Sequence, residues 1–131
     1  MGNLKVLLVD DEADLLEVMK VRIRGWGYDV VEAAGGEEAI SLVMNQKPDI
    51  VVLDYKMADM DGVSVLREIR KFDQKIPVIM FTAYPEADVQ RDAQSLDVSA
   101  FIPKLSVYQD AHNSLESALD IIRQKITASG Q

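Results

Sequence analysis

The stretch VLLVDDE, residues 6–12, decides the fold. Val6, Leu7, Leu8 and Val9 run without a polar break, and Asp10, Asp11 and Glu12 follow at once. So short an unbroken aliphatic run fits a strand buried on both faces, the pattern of parallel sheets. Similar runs recur at residues 28–32, 50–53, 78–81 and 100–102.

Helix-period segments fill the gaps. From residue 14 to 25, Leu15, Leu16, Met19 and Ile23 share one face before Gly25 and Gly27 stop the helix. A second helix follows Gly36, with Ala39, Leu42 and Val43 inward. A third spans residues 62 to 72 with Leu66, Ile69 and Phe72 inward, and Pro77 bars its continuation. Pro85 stands where a fourth can begin; residues 86–96 offer only Val89 and Leu96 as large anchors, so that helix should pack loosely. Residues 107–126 repeat Leu115, Leu119, Ile122 and Ile126 on one stripe, and 127–131 read as a frayed tail. Five alternations of strand and helix predict an α/β fold, a doubly wound parallel sheet with helices on both faces, in one domain over residues 1–126.

Composition narrows the function. The chain has 131 residues, with 14 basic against 22 acidic side chains and a net charge of −8, which argues against gripping a nucleic-acid backbone. No Cys is present, which removes disulfides, thiolate catalysis and Cys-type zinc sites. No signal peptide, membrane span or myristoylation motif can be read, so a cytoplasmic protein is expected.

In open parallel sheets, ligands bind beyond the carboxyl ends of the strands. Those positions hold Asp10 and Asp11 after the first strand, Asp54 after the third, Thr82 after the fourth and Lys104 after the fifth. Asp10 and Asp11 alone are most simply read as caps of the following helix. Asp54 changes that. If strands one and three are neighbours, as in the order 2-1-3-4-5, three carboxylates converge, and each pair at about 4 Å would repel by about 4 kcal/mol at an effective dielectric near 20. A cation is the economical remedy. All-oxygen ligands, few in number, suit Mg²⁺, and a carboxylate beside Mg²⁺ can attack phosphorus. Thr82 and Lys104 add a hydroxyl donor and a compact charge for phosphoryl oxygens.

These pieces together resemble the response-regulator receiver domain of two-component phosphorelay signalling, over essentially the whole chain. The likeness rests on VLLVDDE at 6–12, VVLDYKM at 51–57, the Asp61-Gly62 turn, IMFTA at 79–83 and AFIPK at 100–104. It implies a flavodoxin-like sheet of order 2-1-3-4-5, and phosphoryl transfer onto Asp54 from a histidine kinase or phosphotransfer protein. Asp11, Asp54 and the backbone carbonyl of Lys56 would bind Mg²⁺, with Asp10 holding a water of the metal. Thr82 and Lys104 would grip the phosphoryl oxygens, and Thr82 and Phe101 would form the switch. By the same analogy, Lys56 and Tyr84 flank the path of attacking water and tune the phosphoryl lifetime. Output would pass to a partner or domain through the surface of helix 4, strand 5 and helix 5, whether the chain stands alone or is a piece of a larger protein.

Departures from the family pattern are local. Ala58 stands where Pro is common after Met57, Phe101 where Tyr is common, and Pro103 precedes Lys104 where the family usually has Pro after its Lys, joined by a cis bond. Other readings are weaker. Asp59, Asp61, Gly62 and Glu68 match four positions of a calcium loop, but its first position would be Met57 and a strand precedes it. A Mg²⁺-dependent phosphohydrolase of the haloacid dehalogenase type would need an acid two residues after its nucleophile, where Lys56 stands, so no enzyme acting on other substrates is expected. A phosphate-independent binding module would not need the full acidic, Thr and Lys set. His112 reads as a solvated helix residue.

Overall fold

The computed structural model describes residues 2–83, 86–104 and 108–129, with side chains of the last segment described for 113–128. Strands β1 (Lys5–Val9), β2 (Asp29–Ala33), β3 (Ile50–Leu53), β4 (Val78–Thr82) and β5 (Ala100–Pro103) alternate with helices α1 (Ala13–Gly25), α2 (Gly36–Gln46), α3 (Gly62–Phe72), α4 (Ala87–Ser95) and α5 (Tyr108–Ser129). All strand pairs are parallel, and the sheet order is β2-β1-β3-β4-β5.

Strand alternation divides the core in two. Val6, Leu8, Ile50, Val52, Ile79 and Phe81 pack with α1 and α5 through Leu16, Met19, Ile23, Leu115 and Leu119. Leu7, Val9, Val51, Leu53, Val78 and Met80 point the other way, onto Ala39 and Val43 of α2, Leu66 and Ile69 of α3 and Ala93 of α4. The continuous apolar runs follow from this double covering. Helix α4 buries only Val89 and Ala93, in keeping with its expected loose packing.

Two sequence expectations need correction. Tyr28 is buried but precedes β2: Gly27 turns at φ +104°, the Tyr28 N–H still bonds to the Ile23 carbonyl of α1, and pairing with β1 begins at Asp29. Phe72 is 43% exposed rather than inward, because at the end of α3 it lies in a shallow groove with Met44, Lys47 and Ile76. Helix α5 runs to Ser129, and the Thr127 hydroxyl donates to the Arg123 carbonyl at 2.8 Å. The side chain of His112 lies outside the described residues.

Candidate functional site

The sheet order places the carboxyl ends of β1 and β3 side by side, with Val9 paired to Leu53, so the residues after them, Asp10 and Asp54, meet. Backbone bonds fix both: Asp10 N–H donates to Ala33 O at 3.1 Å and Asp54 N–H to Val9 O at 3.1 Å. On the other side, β4 ends at Thr82, whose carbonyl accepts the Lys104 N–H at 2.6 Å. Thus Pro103 ahead of Lys104 does not turn that side chain away.

Among the described residues, the buried polar ones are Asp10, Asp54 and Thr82, all at this edge. Lys104 Nζ lies 2.8 Å from Asp10 Oδ2 and 3.5 Å from Asp54 Oδ2, and 5.3 Å from the centre of the Phe81 ring. Asp54 Oδ1 accepts the Tyr55 N–H at 2.7 Å, and the Thr82 hydroxyl also bonds to Asp54. Burial pushes the Asp54 carboxyl above its usual range and Asp10 adds to this, against the opposing pull of Lys104, the Tyr55 N–H and Thr82. Ionised Asp54 is therefore held in an environment that would gain from more positive charge.

Capping explains only part of the first pair. Asp10 Oδ1 accepts the Glu12 N–H at 3.0 Å, while its other oxygen meets Lys104. Asp11 is exposed and does not cap α1; its Oδ2 accepts the Ala58 N–H of the β3–α3 loop at 3.0 Å. Asp11, Asp54, Lys56, Ala83 and Lys104 line a single pocket. Among the described residues, no three carboxylate or imidazole side chains form a ready-made metal cage. The donor set still fits Mg²⁺, which takes few protein oxygens and keeps most of its waters, and a positive group already stands between Asp10 and Asp54.

The acids of the rejected calcium loop serve helix ends. Asp61 Oδ1 caps α3 by accepting the Ser64 N–H at 2.8 Å. Asp59 reaches α2 instead, accepting the N–H groups of Gly36 at 3.0 Å and Glu37 at 3.1 Å. That reach across 23 and 22 positions leaves no trace in local sequence pattern; the departure at the neighbouring Ala58 was the nearest signal. Phe81, beneath the Lys104 ammonium, was likewise missed as a site residue.

Phe101 is half-buried against the α2/α3/α4 side of the core. It pairs in register with Met80, while Pro103 pairs with Thr82, so Phe101 and Thr82 stand one alternation apart on the same sheet face. Tyr84 and the Lys104–Leu105 bond lie outside the described residues.

An open parallel sheet of order 2-1-3-4-5, with two buried Asp, a Thr and a Lys converging at its carboxyl edge, is a flavodoxin-like α/β architecture. A solved structure of that kind, the response regulator protein TrrA of Thermotoga maritima in complex with Mg²⁺-BeF, superposes with a TM-score of 0.76 at 26% identity, covering 88% of this chain and 98% of that one. The family model of the response regulator receiver domain matches residues 6–116, and the chain belongs to that family of two-component signalling proteins. The transcriptional regulatory protein ZraR of Escherichia coli K12 is 33% identical over 89% of this chain, which spans 26% of ZraR. Sporulation initiation phosphotransferase F of Bacillus subtilis is 35% identical over 73% of this chain and 77% of its own length. No described helix is long and apolar enough to cross a membrane.

Proposed function

We propose that this chain, as one unit over residues 1–126, takes a phosphoryl group onto Asp54 from the phosphohistidine of a cytoplasmic histidine kinase or phosphotransfer protein. One observation carries the reading: the carboxylate of Asp54 is buried beside Thr82 and Lys104 at the open edge of the sheet. An Asp54 oxygen forms the new bond to phosphorus as the nitrogen–phosphorus bond breaks, its electron pair returning to the imidazole. Asp11, Asp54 and the Lys56 carbonyl would hold Mg²⁺, with Asp10 bonding one of its waters. Bound there, the metal offsets the charge of the carboxylates and of the incoming anion.

Lys104 then exchanges its long contact with Asp54 for the phosphoryl oxygens, and the Thr82 hydroxyl turns to donate to one of them, a charge-assisted bond worth about 1.5 to 3 kcal/mol. Movement of Thr82 leaves room on the face it shares with Phe101, and the half-buried ring fills it. Phe101 has no hydroxyl to strand, so the inward position is already sampled before phosphorylation. The altered surface is that of α4, β5 and α5, where α4 has few buried anchors to hold it. Lys56 and Tyr84 screen water from the phosphoryl group, and with no acid at position 56 to activate that water, self-hydrolysis is slow.

Incubation with acetyl phosphate tests the reading. Labelling is expected with Mg²⁺, is expected to vanish with excess chelator, and is expected to be lost in Asp54→Asn. Equal labelling of wild type and Asp54→Asn would overturn it.

A further inference from the structure

The β3–α3 loop, residues 54–61, is closed tightly at both ends. At its start, Tyr55 N–H bonds to the Asp54 side chain; at its end, Gly62 N–H bonds to Tyr55 O at 2.6 Å. A side chain at Gly62 would stand 2.2 Å from the Asp54 carbonyl, so the backbone approach there depends on glycine. The crest between these ends, from Lys56 to Asp59, is held by the burial of Met57 in the core and by hydrogen bonds to other parts of the molecule. Ala58 N–H bonds to Asp11 at 3.0 Å, and the Asp59 carboxylate bonds to the Gly36 and Glu37 amides of α2 at 3.0 and 3.1 Å. Asp59 Oδ1 also accepts its neighbour Met60's N–H at 3.0 Å, which fixes the carboxylate to the loop that carries it.

The α2 side is shaped for this seat. The N-cap Gly35 offers α2 no side-chain cap of its own, and a Cβ at Gly35 would come within 3.1 Å of the Asp59 carboxylate. A Cβ at Gly36 would meet Met60 and Val65 at 2.3 and 2.7 Å. Two small residues therefore let the loop lie directly against the helix start. Ala58 lacks a proline's fixed φ, so beside the buried Met57 the crest gains its remaining order from such ties.

We propose that Asp59 is a positioning residue for the phosphoacceptor site: it anchors the loop crest to α2 and so holds the Lys56 carbonyl and the Asp11–Ala58 contact where Mg²⁺ is to be bound. The inference rests on the Mg²⁺-dependent reading of Asp54. Asp59 touches neither metal nor phosphoryl group; it acts through the backbone of residues 56–58. The Asp11 tie is one the metal also claims, so more of the loop geometry falls to Asp59, alongside the buried Met57, once the metal arrives.

The test is a MgCl2 titration of the full chain without phosphodonor, followed by the amide NMR signals of Tyr55, Lys56 and Ala58. Asp59→Ala is expected to raise the half-saturating Mg²⁺ concentration roughly three- to tenfold, the scale of losing a carboxylate helix cap. Asp59→Asn, whose single side-chain oxygen can replace one of the two bonds to α2, should fall between wild type and Asp59→Ala. Glu38→Ala provides the control, since it removes the Glu38 bond to Ala34 N–H at the same helix start without touching the loop. It should lower thermal stability while leaving the Mg²⁺ titration within about twofold of wild type. Unchanged Mg²⁺ affinity in Asp59→Ala, with wild-type labelling by acetyl phosphate still dependent on Mg²⁺ and Asp54, would overturn the Asp59 proposal alone. Wild type that shows no Mg²⁺-dependent shift would overturn both this proposal and the reading beneath it.

Discussion

Lys104 Nζ stands 2.8 Å from Asp10 Oδ2, joining two residues 94 positions apart across the carboxyl edge of the sheet. The pair is largely buried, and the same ammonium reaches toward Asp54 at 3.5 Å. Before any phosphoryl group arrives, Lys104 balances two carboxylates whose mutual repulsion would otherwise fall on the fold.

Lys104→Met should therefore destabilise the protein by roughly 2 to 3 kcal/mol, somewhat below the loss for breaking a fully buried pair, because the ammonium keeps some solvent contact. Urea unfolding checks this. Added Mg²⁺ should recover more stability in the variant than in wild type, since the metal replaces part of the missing charge; equal recovery contradicts the account.

Asp54 gives a stability signature of opposite sign to that of a usual salt-bridged acid. Its folded-state pKa lies above the ordinary 3.8, so the folded protein binds that proton more tightly than the unfolded chain. The stabilising contribution is present below pH 3.8 and is lost as pH rises through the raised value. Asp54→Asn should then unfold at higher urea than wild type at pH 7, with the gap closing toward pH 4. A variant less stable than wild type at pH 7 would contradict the assigned sign.

Arg70 holds a different part of the frame. Its guanidinium donates to Leu96 O at 2.8 Å, Asp97 O at 3.2 Å, Asp73 O at 3.2 Å and Ile76 O at 2.9 Å, tying the end of α4 to the α3–β4 turn. Arg70→Ala should cost about 2 to 3 kcal/mol, and Arg70→Lys should not restore it, because one ammonium cannot span both segments. Hydrogen exchange should quicken at residues 96–98 in both variants.

Phe101 would report the proposed switch. With beryllium fluoride and Mg²⁺ added to wild type, its ring resonances should shift toward a more buried environment along a line already occupied in part by the free protein. Unchanged ring shifts on ligand addition contradict the Thr82–Phe101 coupling.

The sheet was legible because its signal is local: Val9 and Leu53 close unbroken apolar runs, and the acids follow them directly. Helical periodicity misplaced Phe72 because a repeat records which face a residue takes, not where the neighbouring sheet and helix end. Asp59 was invisible as a tie to α2 for a related reason. Capping patterns are read within one helix, whereas this carboxylate caps a helix that precedes it by more than twenty residues. The ion pair of Lys104 with Asp10 depends on strand order, which spacing along the chain suggests only through the family resemblance.

The most direct test of Asp54 as phosphoacceptor is to trap the product. An acyl phosphate is reduced by borohydride to an alcohol, which converts a phosphorylated aspartate into homoserine that peptide mass spectrometry can locate. After treatment with acetyl phosphate and Mg²⁺, homoserine is expected at position 54 and at no other aspartate. Homoserine at Asp10 or Asp11 with Asp54 intact, or an unmodified chain, would contradict the account.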